Sequence, residues 1–394
     1  MNIAFLSFFY TPDISPGAFR SEALVKSLSA SEKNCTIHVI TTFPNRYKVS
    51  EELTEDGLDL EGVVIHRIKV PPHNGKTLPQ FLSFFTYSIK SFFILVKIKP
   101  DFFFCTTGRH MTSLLTFFYS FVFRKPYYID FRDIFSEAIF DMFVSKNILV
   151  AGLLKRVLFF LERVVLSNAE GVNVVSEDFY SYYQEAGMDT SSWTFIPNGI
   201  DAQFMDIKPL KTAQRKVPLV LYAGNLGKMQ GIENILPKVI SNSNGFIFNV
   251  IGDGAGKKDL LTNLIHQEDV FRFYDPVPRE SLLDYYLESD ILFLHLNPLP
   301  ALKRSLPSKI FEYAVIGKPI VAGLPGYSKR FVEENIPHAY LFNPGDTQGC
   351  IDALERAKGS VVNQKHIEEF KQKFSRRKLS DSLSEIILEC VDTC

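Results

Sequence analysis

The chain has 394 residues, 46% of them hydrophobic and 22% charged, with a net charge of −1. That length exceeds one ordinary core and predicts two domains, while the balanced charge and the lack of arginine-rich or zinc-finger patterns exclude a nucleic-acid partner. The five cysteines, Cys35, Cys105, Cys350, Cys390 and Cys394, are odd in number and lack CxxC spacing, which fits a reduced cytosolic setting without structural zinc.

From the amino end, Ile3–Phe8 reads as a buried first strand; no basic leader or small-residue cleavage site marks it as a secretion signal. A helix is expected over Ser21–Leu28, and strands over Ile37–Thr41, Phe102–Thr106, Tyr127–Asp130, Gly171–Val175 and Thr194–Ile196. Around Ala202–Pro218 the chain turns polar and reads as a linker. A second series follows: Leu219–Ala223, Phe246–Ile251, Val270–Phe273, Ile291–Leu294, Pro319–Ala322 and Tyr340–Phe342. Such alternation of strands and helices predicts an α/β protein of two doubly wound, Rossmann-like domains. The expected boundaries are 1–203 and 204–378, with a terminal helix in 379–394 packing back across the linker. Ligands of such sheets bind beyond the carboxyl ends of the strands, which points to a cleft between the two domains.

Phe84–Tyr128 holds eleven of the 36 phenylalanines and six basic residues, Lys90, Lys97, Lys99, Arg109, Arg124 and Lys125, against the single acid Asp101. Its apolar runs are interrupted before bilayer-spanning length. Helices over Phe81–Val96 and Met111–Phe123 are therefore expected to lie in an anionic membrane interface, aromatics inserted and lysines on headgroups. Packing of the same aromatics into a domain core is the competing reading.

Several loops carry candidate chemistry. After the first strand, Gly17 permits close backbone approach to a ligand, and Arg20, one turn into the next helix, can meet phosphate. No GxGxxG fingerprint is present, which disfavours a dinucleotide dehydrogenase. Asp130-Phe-Arg-Asp133 follows another strand and can bind sugar hydroxyls or stabilise positive charge; a capped helix start is the alternative. In the second half, Gly224, Asn225, Gly227 and Lys228 form a glycine-rich loop with a cation, Gly252 and Gly254 follow the next strand, and Val277 with Arg279 can read a base edge. Pro307-Ser308-Lys309-Ile-Phe-Glu312 opens a short helix: Ser308 is expected to cap it, Lys309 to charge an anion site, and Glu312 to accept from ribose hydroxyls.

Together these residues resemble the family-four retaining glycosyltransferases of the GT-B fold, especially the bacterial branch that builds O-antigen, capsule and other exopolysaccharides. The resemblance rests on Phe9-Tyr-Thr-Pro with Gly17-Ala-Phe-Arg20, Asp130-Phe-Arg-Asp133, Ile196-Pro-Asn-Gly-Ile-Asp201, Tyr222-Ala-Gly-Asn-Leu-Gly, Ile251-Gly-Asp-Gly, Pro276-Val-Pro-Arg279 and Pro307-Ser-Lys-Ile-Phe-Glu312. It implies that Gly17 approaches a donor diphosphate, Lys228 and Lys309 neutralise it, Glu312 holds the ribose and Asp133 lies near the transferred sugar. The chain departs from the family at Arg304, where relatives often keep a second glutamate, and at Asn225, Gln230 and Arg132.

The implied reaction moves a sugar from a UDP-sugar to a lipid-linked saccharide with retention of configuration, at the inner face of the cytoplasmic membrane. Lys309, Lys228 and helix N-termini would stabilise the leaving group, with no metal or other cofactor required. Two alternatives use the same architecture: a sugar-nucleotide epimerase or hydrolase, and a noncatalytic membrane-associated scaffold.

Overall fold

The computed structural model describes residues 1–13, 15–31, 35–44, 60–72, 77–107, 111–144, 147–207 and 215–393. Arg109, Cys394 and the middle of the expected linker, with Lys208, Pro209 and Lys211, lie outside the described residues.

Two compact units form, and each is a parallel sheet wound with helices. The first comprises Met1–Gly199 and the terminal helix Arg376–Thr393; the second is Ile200–Ser375. Both boundaries fall earlier than sequence reading places them. At the first, the polar stretch opens with a helix, Ala202–Met205, whose Phe204 is fully buried and stacks near Tyr286 in the second unit.

In the first unit the strands are β1 (Asn2–Leu6), β2 (Thr36–Thr42), β3 (Val63–Ile68), β4 (Phe102–Thr106), β5 (Tyr127–Phe131), β6 (Gly171–Val174) and β7 (Thr194–Phe195), in the order β3-β2-β1-β4-β5-β6-β7. β3 escapes the sequence reading because it is an edge strand: most of Val63–Arg67 is half-buried or exposed, so it lacks the continuous apolar run of its neighbours. On one face of the sheet, Phe84, Tyr87 and Leu95 of helix Thr77–Ile98 and Tyr119 of helix Met111–Phe123 pack over Leu6 and Phe103. On the other, Leu24 and Leu28 of helix Pro16–Ser29 meet Leu383 and Ile387 of the terminal helix. Helix Pro16–Ser29 starts where Ser15 Oγ accepts from the Ala18 N–H and proline occupies the first turn, where its missing N–H costs nothing.

An 18-residue window of Pro79–Ile98 has a mean hydropathy of 1.5, which by length and composition alone is enough to cross a membrane. Lys90 and Lys97 interrupt its apolar runs, yet the average over the window still reaches spanning level. Its inner residues nonetheless belong to the sheet core described above.

The second unit contains β8 (Leu219–Ala223), β9 (Ile247–Ile251), β10 (Phe271–Tyr274), β11 (Ile291–His295), β12 (Ile320–Gly323) and β13 (Ala339–Phe342), ordered β10-β9-β8-β11-β12-β13. Every pairing is parallel, so all six strands end on one edge. The order reverses between β8 and β11, the position at which loops on either side diverge and leave room for a ligand.

Candidate active site

At that edge the loops after β8 and β9 are bonded together. The Gly224 N–H donates to the Ile251 carbonyl at 3.0 Å, and the Leu226 N–H to the Asp253 carbonyl at 2.9 Å. A Cβ on Gly252 would lie 1.9 Å from the Gly224 carbonyl oxygen, and one on Gly254 2.5 Å from that of Leu226. Both glycines have positive φ, so the loop-to-loop contact itself demands them. Asn225 Nδ2 donates to Gln230 Oε1 at 3.2 Å. Lys228 is exposed, and its ammonium has no hydrogen-bond or ion-pair partner among the described residues. Val277 is half-buried in the connection after β10.

One step along the edge lies a charge network. Lys309 Nζ donates to Glu312 Oε2 at 2.9 Å and to Tyr286 Oη at 2.8 Å, and Tyr286 Oη donates to the same carboxylate oxygen at 3.1 Å. Arg279 stands 3.8 Å from Glu312 Oε1 and is paired with Asp201. Burial acts to raise the Glu312 pKa, but the Lys309 charge and bond, then Arg279 and Tyr286, outweigh it and hold the carboxyl below its usual range. The same burial, reinforced by Glu312, pushes Tyr286 well above the ordinary phenol value. Glu312 is therefore a carboxylate with one oxygen satisfied and the other 3.8 Å from its cation, a geometry that accepts a hydroxyl.

Two expectations about this segment are corrected. Ser308 makes no side-chain cap bond, because its own backbone is helical and does not present the hydroxyl to the first turn. The helix it precedes, Lys309–Tyr313, has five residues, too few for a strong dipole, so the charge of the site comes from side chains.

Gly17, Arg20 and Asp133 belong to the first unit. Arg20 is 4% exposed and forks onto Asp130 through Nε and Nη2 at 2.8 and 2.9 Å, with further bonds to the Pro197 and Ile196 carbonyls at 2.6 and 2.9 Å. Thr106 and Asn173 complete the Asp130 shell. Arg20 is thus a structural cation rather than a phosphate ligand: its donors are spent where no solvent reaches. Gly17 is buried as well, and the group its missing side chain admits is the Arg132 guanidinium, 2.8 Å from an added Cβ. Asp133 is open to solvent beyond β5; surrounding protein mass raises its carboxyl to about 6 against the pull of Arg132.

Sequence reading missed Tyr286, His295 and Asn297. The last two directly end and follow β11, so the strand-end rule that selected the other loops would also have selected them. His295 Nδ1 lies 2.6 Å from the Gln230 carbonyl, and its Nε2 accepts from the Gly345 N–H at 3.0 Å. Among the described residues no three His, Cys, Asp or Glu side chains gather into a metal-binding group.

Residues 217–358, covering most of the second unit, match the family described as glycosyl transferases group 1. WcaI of Escherichia coli K12, named as a colanic acid biosynthesis glycosyl transferase, is 24% identical over 281 residues, 66% of each chain. The chain spans half or less of the length of two other curated relatives. Among solved structures, sucrose-phosphate synthase of Thermosynechococcus elongatus superposes with a TM-score of 0.75 at 15% identity, covering 100% of both chains. HepE of Anabaena, solved with UDP and glucose, gives 0.69 at 16% identity over 98% of this chain and 99% of that one. Residues 217–358 of the second unit are thus similar to group 1 glycosyl transferases, and the chain as a whole has the two-domain parallel-sheet GT-B fold of these solved structures.

Proposed function

We propose that the chain transfers a sugar from a nucleotide donor, a UDP-sugar, to a lipid-linked saccharide with retention of configuration, in the assembly of a bacterial surface polysaccharide. The observation that carries this reading is the Glu312 carboxylate, anchored by Lys309 and Tyr286 at the edge where the glycine loops of β8 and β9 end. Its open oxygen suits a ribose hydroxyl, while Lys228 and the loop backbones suit a diphosphate. HepE, which shares the fold, was solved with UDP.

In the reaction, the bond from the anomeric carbon to the diphosphate oxygen breaks as the acceptor oxygen bonds to the same face of that carbon. The acceptor proton passes to the leaving phosphate, so no protein nucleophile is needed. Lys228 stabilises the departing charge, and binding of the phosphates competes with Glu312 for Lys309. Asp133 serves the sugar, and the reading requires no metal. Gly224, Asn225, Gly252, Gly254 and Val277 are assigned to the donor, with Ser308 as a neighbour of the phosphates.

Membrane association belongs to the same proposal. Three helices on one face of the first unit expose large apolar side chains: Phe85 and Phe93 on Thr77–Ile98, Phe121 on Met111–Phe123, and Leu149 and Phe160 on Ile148–Ser167. Leu149 is 81% and Phe121 76% exposed, and the exposed cations Lys97, Lys99 and Arg124 lie near the same helices' ends. Such a surface suits the cytoplasmic face of an anionic bilayer, where a lipid-linked acceptor resides.

Calorimetric titration with UDP and UDP-glucose tests the donor assignment. Wild-type binding is expected, with Glu312→Gln weaker by about tenfold, the worth of a hydrogen bond to a charged group. Equal affinity in Glu312→Gln and Lys309→Ala would sink it.

A further inference from the structure

Two side chains at the end of β11 hold the loop after β8 from behind. Asn297 Nδ2 donates to the Lys228 carbonyl at 2.5 Å, the Asn297 N–H donates to that of Met229 at 2.8 Å, and His295 engages that of Gln230 at 2.6 Å. The Gly227 carbonyl is also taken, accepting from the N–H groups of Gln230 and Gly231. The contact is tight: at Gly231, φ +61°, an added Cβ would fall 2.3 Å from Asn297 Oδ1.

A planar trans peptide points the N–H of one residue opposite the carbonyl of the residue before it. With the Lys228 carbonyl held by Asn297, the Met229 N–H faces away from β11, and with the Gly227 carbonyl held by Gln230 and Gly231, the Lys228 N–H faces away from that turn. Neither has a hydrogen-bond partner among the described residues. The exposed Lys228 ammonium stands on the same two-residue stretch. His295 can play its part in only one tautomer. Because Gly345 donates to Nε2, that nitrogen is bare, and Nδ1 carries the proton given to Gln230.

We infer that His295 and Asn297 are positioning residues that turn the Lys228–Met229 backbone into an anion nest for the phosphates of the nucleotide donor. The inference rests on the donor reading above. Without the clamp, the Lys228–Met229 peptide is free to rotate and present a carbonyl oxygen to the anion, which repels what the N–H attracts. Two charge-assisted bonds would be lost together.

Titration of UDP and of uridine into wild type, Asn297→Ala, His295→Ala and His295→Asn tests this. Asn297→Ala and His295→Ala are expected to weaken UDP by at least about tenfold while leaving uridine within about twofold. His295→Asn, whose amide nitrogen occupies the Nδ1 position, is expected to restore most UDP affinity. Unchanged UDP affinity in both alanine variants, or parallel loss of UDP and uridine, overturns the inference alone. A wild type that binds neither ligand overturns the donor reading and this inference with it.

Discussion

Replacing Arg20 by Met separates a structural cation from a ligand-binding one. The substitution removes four hydrogen bonds, two to Asp130 and one each to the Ile196 and Pro197 carbonyls. It leaves Asp130, fully buried, with Thr106 and Asn173 as its side-chain donors among the described residues and Arg132 as its remaining nearby cation. In the intact protein Asp130 stays below the ordinary carboxyl range because Arg20, and after it Arg132 and Asn173, overcome the effect of burial. Removing one partner of a buried ion pair costs about 3–5 kcal/mol. At a slope of about 2 kcal/mol per molar, that moves a urea midpoint by roughly 2 M. The chain has one tryptophan, Trp193, buried in the first unit, so its fluorescence reports that unit's unfolding. Adding Asp130→Asn to Arg20→Met is expected to recover much of the loss, because the second change removes the stranded charge. A midpoint that stays within about 0.3 M of wild type, together with weakened UDP binding, would refute the structural assignment and restore Arg20 as a phosphate ligand.

Acid should weaken the second unit in a way that depends on His338. Burial and then His366 lower its pKa from 6.5 to about 4, so the unfolded chain takes up the proton first as pH falls. Its contribution is intact above pH 6.5 and lost towards pH 4, to a limit of about 3 kcal/mol. Calorimetric unfolding of wild type and His338→Gln across that window should show their stability difference changing steadily with pH; a constant difference excludes the mechanism. The membrane reading predicts that Phe121→Glu with Leu149→Glu lowers partition onto anionic vesicles by at least about tenfold, since each change replaces an inserted apolar side chain with a charge. Equal cosedimentation of variant and wild type would count against it.

Period and composition made most of the framework readable. Buried parallel strands are short apolar runs, and apart from the half-exposed edge strand β3 they stand within a residue or two of their predicted places. The glycine pair after β9 was legible for a similar reason, because few other residues fit where Gly252 and Gly254 meet the backbone of the loop after β8. Lys309 and Glu312 were legible as a pair, being close neighbours in one motif. What surrounds them was not, since Tyr286, Arg279 and Asp201 come from other parts of the chain and meet only when the sheet forms.

By itself, then, the sequence determined the two wound sheets, the edge at which their loops gather and the chemical types available there. Tertiary structure alone decided how those groups are spent. An arginine in a helix's first turns reads the same whether it faces a phosphate or a buried carboxylate, and only the approach of Asp130 across 110 residues makes Arg20 structural. The carbonyl clamp of His295 and Asn297 was equally hidden. Its partners are backbone atoms, which carry no residue identity, and their orientation follows from hydrogen bonds between segments about 65 residues apart.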